Sequence, residues 1–70
     1  MDYQKLKSNI AENIRIFRLK KRYSQDKLAE LANVSQQYIC KIEKAQTNPS
    51  IQILVDIAEV LDVTVNDLIY

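Results

Sequence analysis

The chain of 70 residues contains no glycine, no histidine and no tryptophan, and it has one proline (Pro49) and one cysteine (Cys40). Each absence excludes something. β-Rich folds normally rely on glycine at their tight turns, so this composition favours helices. Phosphate-cradling glycine loops of the nucleotide-binding type are excluded as well. Without histidine, and with no plausible base beside Cys40, nucleophilic catalysis has no sequence support. A lone thiol is neither an internal disulfide nor a metal site, so no metal and no cofactor are expected. No apolar run approaches the ~18 residues of a membrane span. One cysteine, together with the absence of a signal-peptide pattern in "MDYQKLKSNI", points to a cytoplasmic protein. What remains is a single domain over residues 1–70, close to the lower size limit for one core. It must be stabilised without staples, by packing alone or by packing with dimerisation. The expectation is a binding module rather than an enzyme.

Charge is unevenly spread. All ten basic residues lie in residues 1–44, against five acids there, whereas 45–70 carry Asp56, Glu59, Asp62 and Asp67 and no base. One pole is therefore basic and the other acidic, and the basic pole suits a polyanion.

Five helices can be read from periodicity and caps. Leu6, Ile10, Ile14 and Phe17 recur at steps of four and three, marking one face of a helix that begins between Tyr3 and Ser8 and ends at Lys21. Arg18, Lys20, Lys21 and Arg22 suit the negative end of its dipole. Residues 1–9 either extend this helix or form a frayed arm. Ser24 is placed to cap a second helix, "QDKLAELA", with Leu28, Ala29, Leu31 and Ala32 facing inward. Asn33 tolerates the left-handed conformation that closes a helix, and Ser35 caps a third helix two residues later. Such close succession gives a tight angle between helices rather than a long hairpin. On the third helix Ile39 and Ile42 share one side with Tyr38, while Gln36, Gln37, Cys40, Lys41 and Lys44 share the other; the helix ends near Ala45. Ser50 caps the fourth helix, "IQILVDIAEVL", whose only polar stripe is Gln52, Asp56 and Glu59, so it is central or covered by a partner. Thr64 opens a short fifth helix, with "TVND" spaced as a capping box.

With these elements in order, the chain resembles the helix-turn-helix domains of the phage repressor and Cro type, the XRE family. The resemblance rests on "IRIFRLKKRYSQDKLAELANVS", "YICKIEKAQTNPSIQIL" and "IAEVLDVTVNDLI" and covers roughly Ile10–Ile69. It implies an all-α, compact, five-helix lambda-repressor-like fold whose second and third helices form the motif. It also implies a sequence-specific DNA-binding transcriptional regulator, a repressor, acting as a homodimer on a pseudo-palindromic operator in double-stranded DNA. The third helix would enter the major groove. Gln36, Gln37 and Lys41 match positions that meet bases, and the amide of glutamine can bond N6 and N7 of adenine together. Gln25, Ser35, Lys44 and Asn48 match phosphate-contacting positions, Gln25 at a helix N-terminus that favours anions. Arg18 and Glu43 match a structural ion pair between the first and third helices. Tyr38 either touches DNA or fills the core. Cys40 is either a small neutral residue beside DNA or an oxidation-sensitive thiol there.

Three departures from the family pattern matter. Asn33 stands where glycine is usual. Ala45 stands where glycine is frequent, and alanine is strained in a left-handed position, so the exit from the third helix is expected to differ, with the loop Gln46–Asn48 affected. Lys27 replaces a common glutamate, removing a capping box and adding a positive charge. The acidic pole offers Val63, Val65, Leu68, Ile69 and Tyr70 as a dimer interface. No small-molecule ligand is expected. A protein partner, either a toxin or an antagonist, is compatible with the antitoxin and restriction–modification controller roles that share this fold. A protein-interaction module that does not bind DNA alone would instead show an apolar or acidic third helix.

Overall fold

The computed structural model describes residues 2–70. Five helices follow one another: α1 Tyr3–Lys20, α2 Gln25–Ala32, α3 Gln36–Glu43, α4 Ile51–Leu61 and α5 Val65–Ile69. Each begins at a residue whose side-chain oxygen accepts from the first turn: Asp2, Ser24, Ser35, Ser50 and Thr64. The Asp2 carboxylate accepts from the backbone N–H of Gln4 at 3.0 Å. This cap carries α1 back to Tyr3, so the segment from Tyr3 to Asn9 is helix and not an arm. Met1 lies outside the described residues. The capping box at α5 is complete: Asp67 N–H donates to Thr64 Oγ1 at 3.1 Å, and Thr64 N–H donates to Asp67 Oδ2 at 2.9 Å. Each such cap stabilises its helix by ~1 kcal/mol.

The C-terminal ends share one device. After α1, α2, α3 and α4 a residue turns left-handed: Arg22, Asn33, Ala45 and Asp62, with φ of 62°, 59°, 57° and 60°. In each case its N–H donates three residues back, and the following N–H donates five residues back. At α3 these bonds are Ala45 N to Ile42 O at 3.0 Å and Gln46 N to Lys41 O at 2.9 Å. This is the double bond pattern that glycine normally completes. The expectation that Ala45 would change the exit from α3 is therefore corrected. Ala45 adopts the geometry glycine would, and the two hydrogen bonds offset the steric cost of its Cβ. The residues that follow Arg22, Asn33 and Asp62, namely Tyr23, Val34 and Val63, pack on the core and close their turns.

One core joins all five helices. It comprises Ile10 and Ile14 of α1, Leu28, Ala29 and Ala32 of α2, Ile39 and Ile42 of α3, Leu54, Ile57, Ala58 and Leu61 of α4, and Leu68 of α5. Leu31 does not belong to it and is 44% exposed. The inward face of α2 is centred between Leu28 and Ala29, and the 3.6-residue period carries Leu31 round to the flank. Leu68 is fully buried within the single chain, so it is not available to an interface. Asn13 Nδ2 donates to Leu68 O at 3.0 Å, so α1 holds a carbonyl near the end of α5.

Replacing Ala45 by glycine removes a Cβ from a left-handed position without losing any bond. The variant is expected to be more stable by about 1 kcal/mol. Urea unfolding measures this, and an unchanged or lower midpoint would show that Ala45 is unstrained.

Candidate nucleic-acid interface

The motif is built from caps outward. Ser24 Oγ accepts from Lys27 N–H at 3.0 Å, and Ser35 Oγ accepts from Tyr38 N–H at 3.0 Å. These two caps start α2 and α3, and left-handed Asn33 sets the angle between them. Ile39 and Ile42 anchor the inner face of α3. Its outer face then presents Gln36, Gln37 and Lys41 to solvent, with Lys44 just beyond its end; Ser35 and Asn48 are exposed as well. Cys40 is half-buried on the same helix. Tyr38 is half-buried and packs against the core.

The Arg18–Glu43 pair lies at the centre. Arg18 Nε donates to Glu43 Oε2 at 2.8 Å, and Arg18 Nη2 donates to Oε1 at 3.0 Å. Only 11% and 4% of the two side chains is exposed. The remaining guanidinium nitrogen, Nη1, donates to Tyr23 O at 2.9 Å in the α1–α2 turn. A planar fork on a carboxylate fixes direction as well as distance, so α3 is held against α1 in one orientation.

The pair extends toward the surface in a way sequence did not reveal. Gln25 Nε2 donates to Glu43 Oε1 at 3.2 Å, and Gln36 Nε2 donates to Gln25 Oε1 at 2.9 Å. A continuous line of hydrogen bonds thus runs from a buried ion pair through the first residue of α2 to the first residue of α3. No buried side-chain polar atom lacks a partner among the described residues. Gln25 and Gln36, assigned separately to phosphate and base, are one unit. The only sequence signal was that both open their helices, eleven positions apart, and their meeting depends on the crossing angle. Arg15 lines a shallow groove of about 430 Å³ with Ser8, Glu12 and Lys44. By contrast Lys27 forms only an exposed pair with Glu30 at 3.2 Å, which contributes little.

Of the predicted interface residues, Ile69 and Tyr70 lie at the opposite end of α1. Val63 and Val65 are half-buried against the core, Ile69 is half-buried, and Tyr70 is 87% exposed. Ile69 and Tyr70 border a groove of about 490 Å³ with Asp2, Lys5, Leu6 and Asn9. Among the described residues no helix is long and apolar enough to cross a membrane.

A five-helix chain with a capped helix–turn–helix and a polar third helix defines a class, and comparison with known proteins gives the family. Residues 14–68 match the HTH_3 helix-turn-helix model, and the chain belongs to this family. It is 46% identical over 61 residues to the HTH-type transcriptional regulator SinR of Bacillus subtilis (strain 168), covering 86% of this chain and 55% of SinR. The chain thus spans about half the length of SinR. It is 30% identical over 67 residues to the control protein C.SmaI of Serratia marcescens, covering 96% of this chain and 80% of that one. Among solved structures it is similar to SinR in complex with DNA, with a TM-score of 0.83 and 45% identity over 87% of this chain and 98% of that one. It is also similar to the restriction–modification controller C.AhdI of Aeromonas hydrophila, with a TM-score of 0.85 and 27% identity over 89% and 94% of the two chains.

Removing one partner of the central pair leaves the other buried and uncompensated. Glu43→Ala is therefore expected to lose about 3–5 kcal/mol, whereas the double variant Arg18→Met with Glu43→Leu loses far less. Chemical unfolding of both variants distinguishes the cases. Equal losses would mean that the side chains matter for packing and not as a charge pair.

Proposed function

We propose that the chain is a sequence-specific DNA-binding transcriptional regulator, a repressor, that acts as a homodimer on a pseudo-palindromic operator. The observation that carries this reading is the outer face of α3. Gln36, Gln37 and Lys41 are exposed on a helix whose orientation is fixed by a buried bidentate ion pair. Gln36 and Gln37 offer amides that can pair with adenine, and Lys41 offers a donor for guanine O6 and N7. Gln25, Ser35, Lys44 and Asn48 lie around these residues in sequence and serve as phosphate contacts, which set register without reading bases. The half-buried Cys40 is a small neighbour of the readers. An apolar or acidic α3, expected of a module that binds only protein, is not what this chain has.

One short helix reads few base pairs, so two copies are needed for useful specificity. Their α3 helices would lie ~34 Å apart, one turn of DNA. Val63, Val65, Ile69 and Tyr70 are the interface candidates that stay at the surface of the chain. DNA as target puts the activity in the cytoplasm, and no catalytic step belongs to it. Control of a restriction–modification system is a second reading, favoured by coverage of 94% of the C.AhdI chain. An antitoxin with a toxin partner keeps the same interface.

Selection of bound sequences from a random DNA pool, at near-physiological salt, tests the reading. A twofold-symmetric site with half-sites one turn apart is expected. Recovery of no motif, with only salt-sensitive weak binding, would move the function to a partner-dependent protein. On the selected site Gln37→Ala is expected to cost ~1–3 kcal/mol of discrimination at its base pair. Lys44→Ala is expected instead to weaken all sequences alike and to lower the salt slope by about one. Base-specific loss from Lys44→Ala would reverse that assignment.

A further inference from the structure

We propose that the groove between α1 and the end of α3 seats the DNA backbone, and that Arg15 of α1 holds a phosphate there, next to the phosphate contact of Lys44. The proposal rests on the DNA-reading function above and adds to it a binding residue that lies outside the helix–turn–helix.

Ser8, Glu12 and Arg15 follow one another at steps of four and three, so they form one stripe of α1. All three are exposed, unlike the stripe that feeds the core. They make one wall of the groove, and Glu43, Lys44 and Ala45 make the other. Ala11 also lines it from α1. Ala11 and Ala45 carry no bulk beyond Cβ, so the space between the two helices stays open to an approaching backbone. Lys44, already placed as a phosphate contact, therefore shares its groove with a second cation from another helix.

Charge decides what the groove takes. The ion pairs among the described residues are Arg18 with Glu43 and Lys27 with Glu30. Arg15 and Lys44 are in neither, and both are exposed. Glu43 lines the groove, but its carboxylate is compensated: Oε2 accepts from Arg18 Nε, and Oε1 accepts from Arg18 Nη2 and Gln25 Nε2. The two open cations therefore set the sign of the groove, with exposed Glu12 opposing them. Two cations against one carboxylate hold no free anion firmly in salt solution. A DNA phosphate differs because α3 delivers it, so holding it costs no further loss of translational freedom. The planar guanidinium of Arg15 matches two phosphate oxygens at once, which the ammonium of Lys44 does not. Arg15 stands one turn before Arg18 on α1, and Arg18 pins that helix to α3. A phosphate held by Arg15 thus helps to set the register of α3 in the groove of DNA.

Fluorescence anisotropy titrations across a series of salt concentrations, on the selected operator and on a random duplex, test the proposal. Arg15→Gln is expected to weaken both duplexes alike, roughly tenfold, and to lower the salt slope by about one. Combined with Lys44→Ala it is expected to lower the slope by about two, because the two cations hold separate phosphates. Arg15→Lys keeps the charge without the fork, so the slope stays and affinity falls by a smaller factor. Glu12→Gln removes the opposing charge and is expected to tighten both duplexes about twofold. Wild-type affinity and slope in Arg15→Gln would overturn the proposal while the wild-type chain still selects its site, leaving DNA reading intact. Lower affinity with an unchanged slope would overturn it too, since Arg15 would then act by holding α3 and not by touching phosphate. So would a loss confined to one base pair, the mark of base reading. If the wild-type chain selects no site, the functional reading and the proposal fall together. Circular dichroism reports whether Arg15→Gln is folded. If it is not, Glu12→Gln decides, and unchanged or weaker binding there would overturn the proposal.

Discussion

The bidentate contact between Arg18 and Glu43 is the constraint on which the rest of the structure depends. An eight-residue helix such as α3 has no independent stability in water. Ile39 and Ile42 pin its inner face, but two aliphatic contacts leave rotation about that anchor poorly defined. The guanidinium fork fixes it, because both carboxylate oxygens are engaged and the third nitrogen is held by Tyr23 O. Taking two charges out of water consumes most of what their attraction returns. The gain lies in orientation rather than net stability, and orientation is what a helix presenting polar groups to a partner requires.

The absence of glycine gives the chain a second constraint. Four helix exits use a left-handed residue, and only Asn33 and Asp62 are residue types that enter that conformation with some ease. Arg22 and Ala45 each bear a Cβ where none is wanted, without a short polar side chain to bond locally, at a cost of ~1–2 kcal/mol. Five side-chain caps at the opposite ends return ~1 kcal/mol each. The fold thus balances favourable starts against strained stops, and a small core supplies the remainder. Tyr23, Val34 and Val63 make those stops tolerable by packing directly after the strained residue.

What was legible in the sequence was local. Serine and threonine caps, the 3.6-residue stripes and the Thr64–Asp67 box all act within four residues, and each forms where the chain places it. Asn33 was legible for the same reason. Leu31 and Leu68 were not, because an apolar residue at a helix flank or terminus reads the same whether it faces core, solvent or a partner, and only the packing of neighbouring helices decides. Ala45 ran the other way. Its intrinsic preference argued against the left-handed turn, and two local backbone hydrogen bonds at the helix end prevailed. The link from Glu43 through Gln25 to Gln36 lay furthest from view, since it joins α2 and α3 through a crossing angle that no periodicity encodes.

That link divides the outer face of α3 into two kinds of side chain. Gln36 is held by the protein before any partner arrives, whereas Gln37 and Lys41 stand in solvent outside the network. Ordering a free polar side chain on binding costs ~0.5–1.5 kcal/mol, a cost Gln36 has already met during folding. A held donor–acceptor pair discriminates sharply, because a mismatched partner cannot be accommodated by turning the amide. A free lysine adapts, keeping its charge near whatever acceptor is offered. One fixed group stands beside two adaptable ones on the outer face of α3, so the rigidity that begins at the buried carboxylate reaches one position of the surface and not its neighbours.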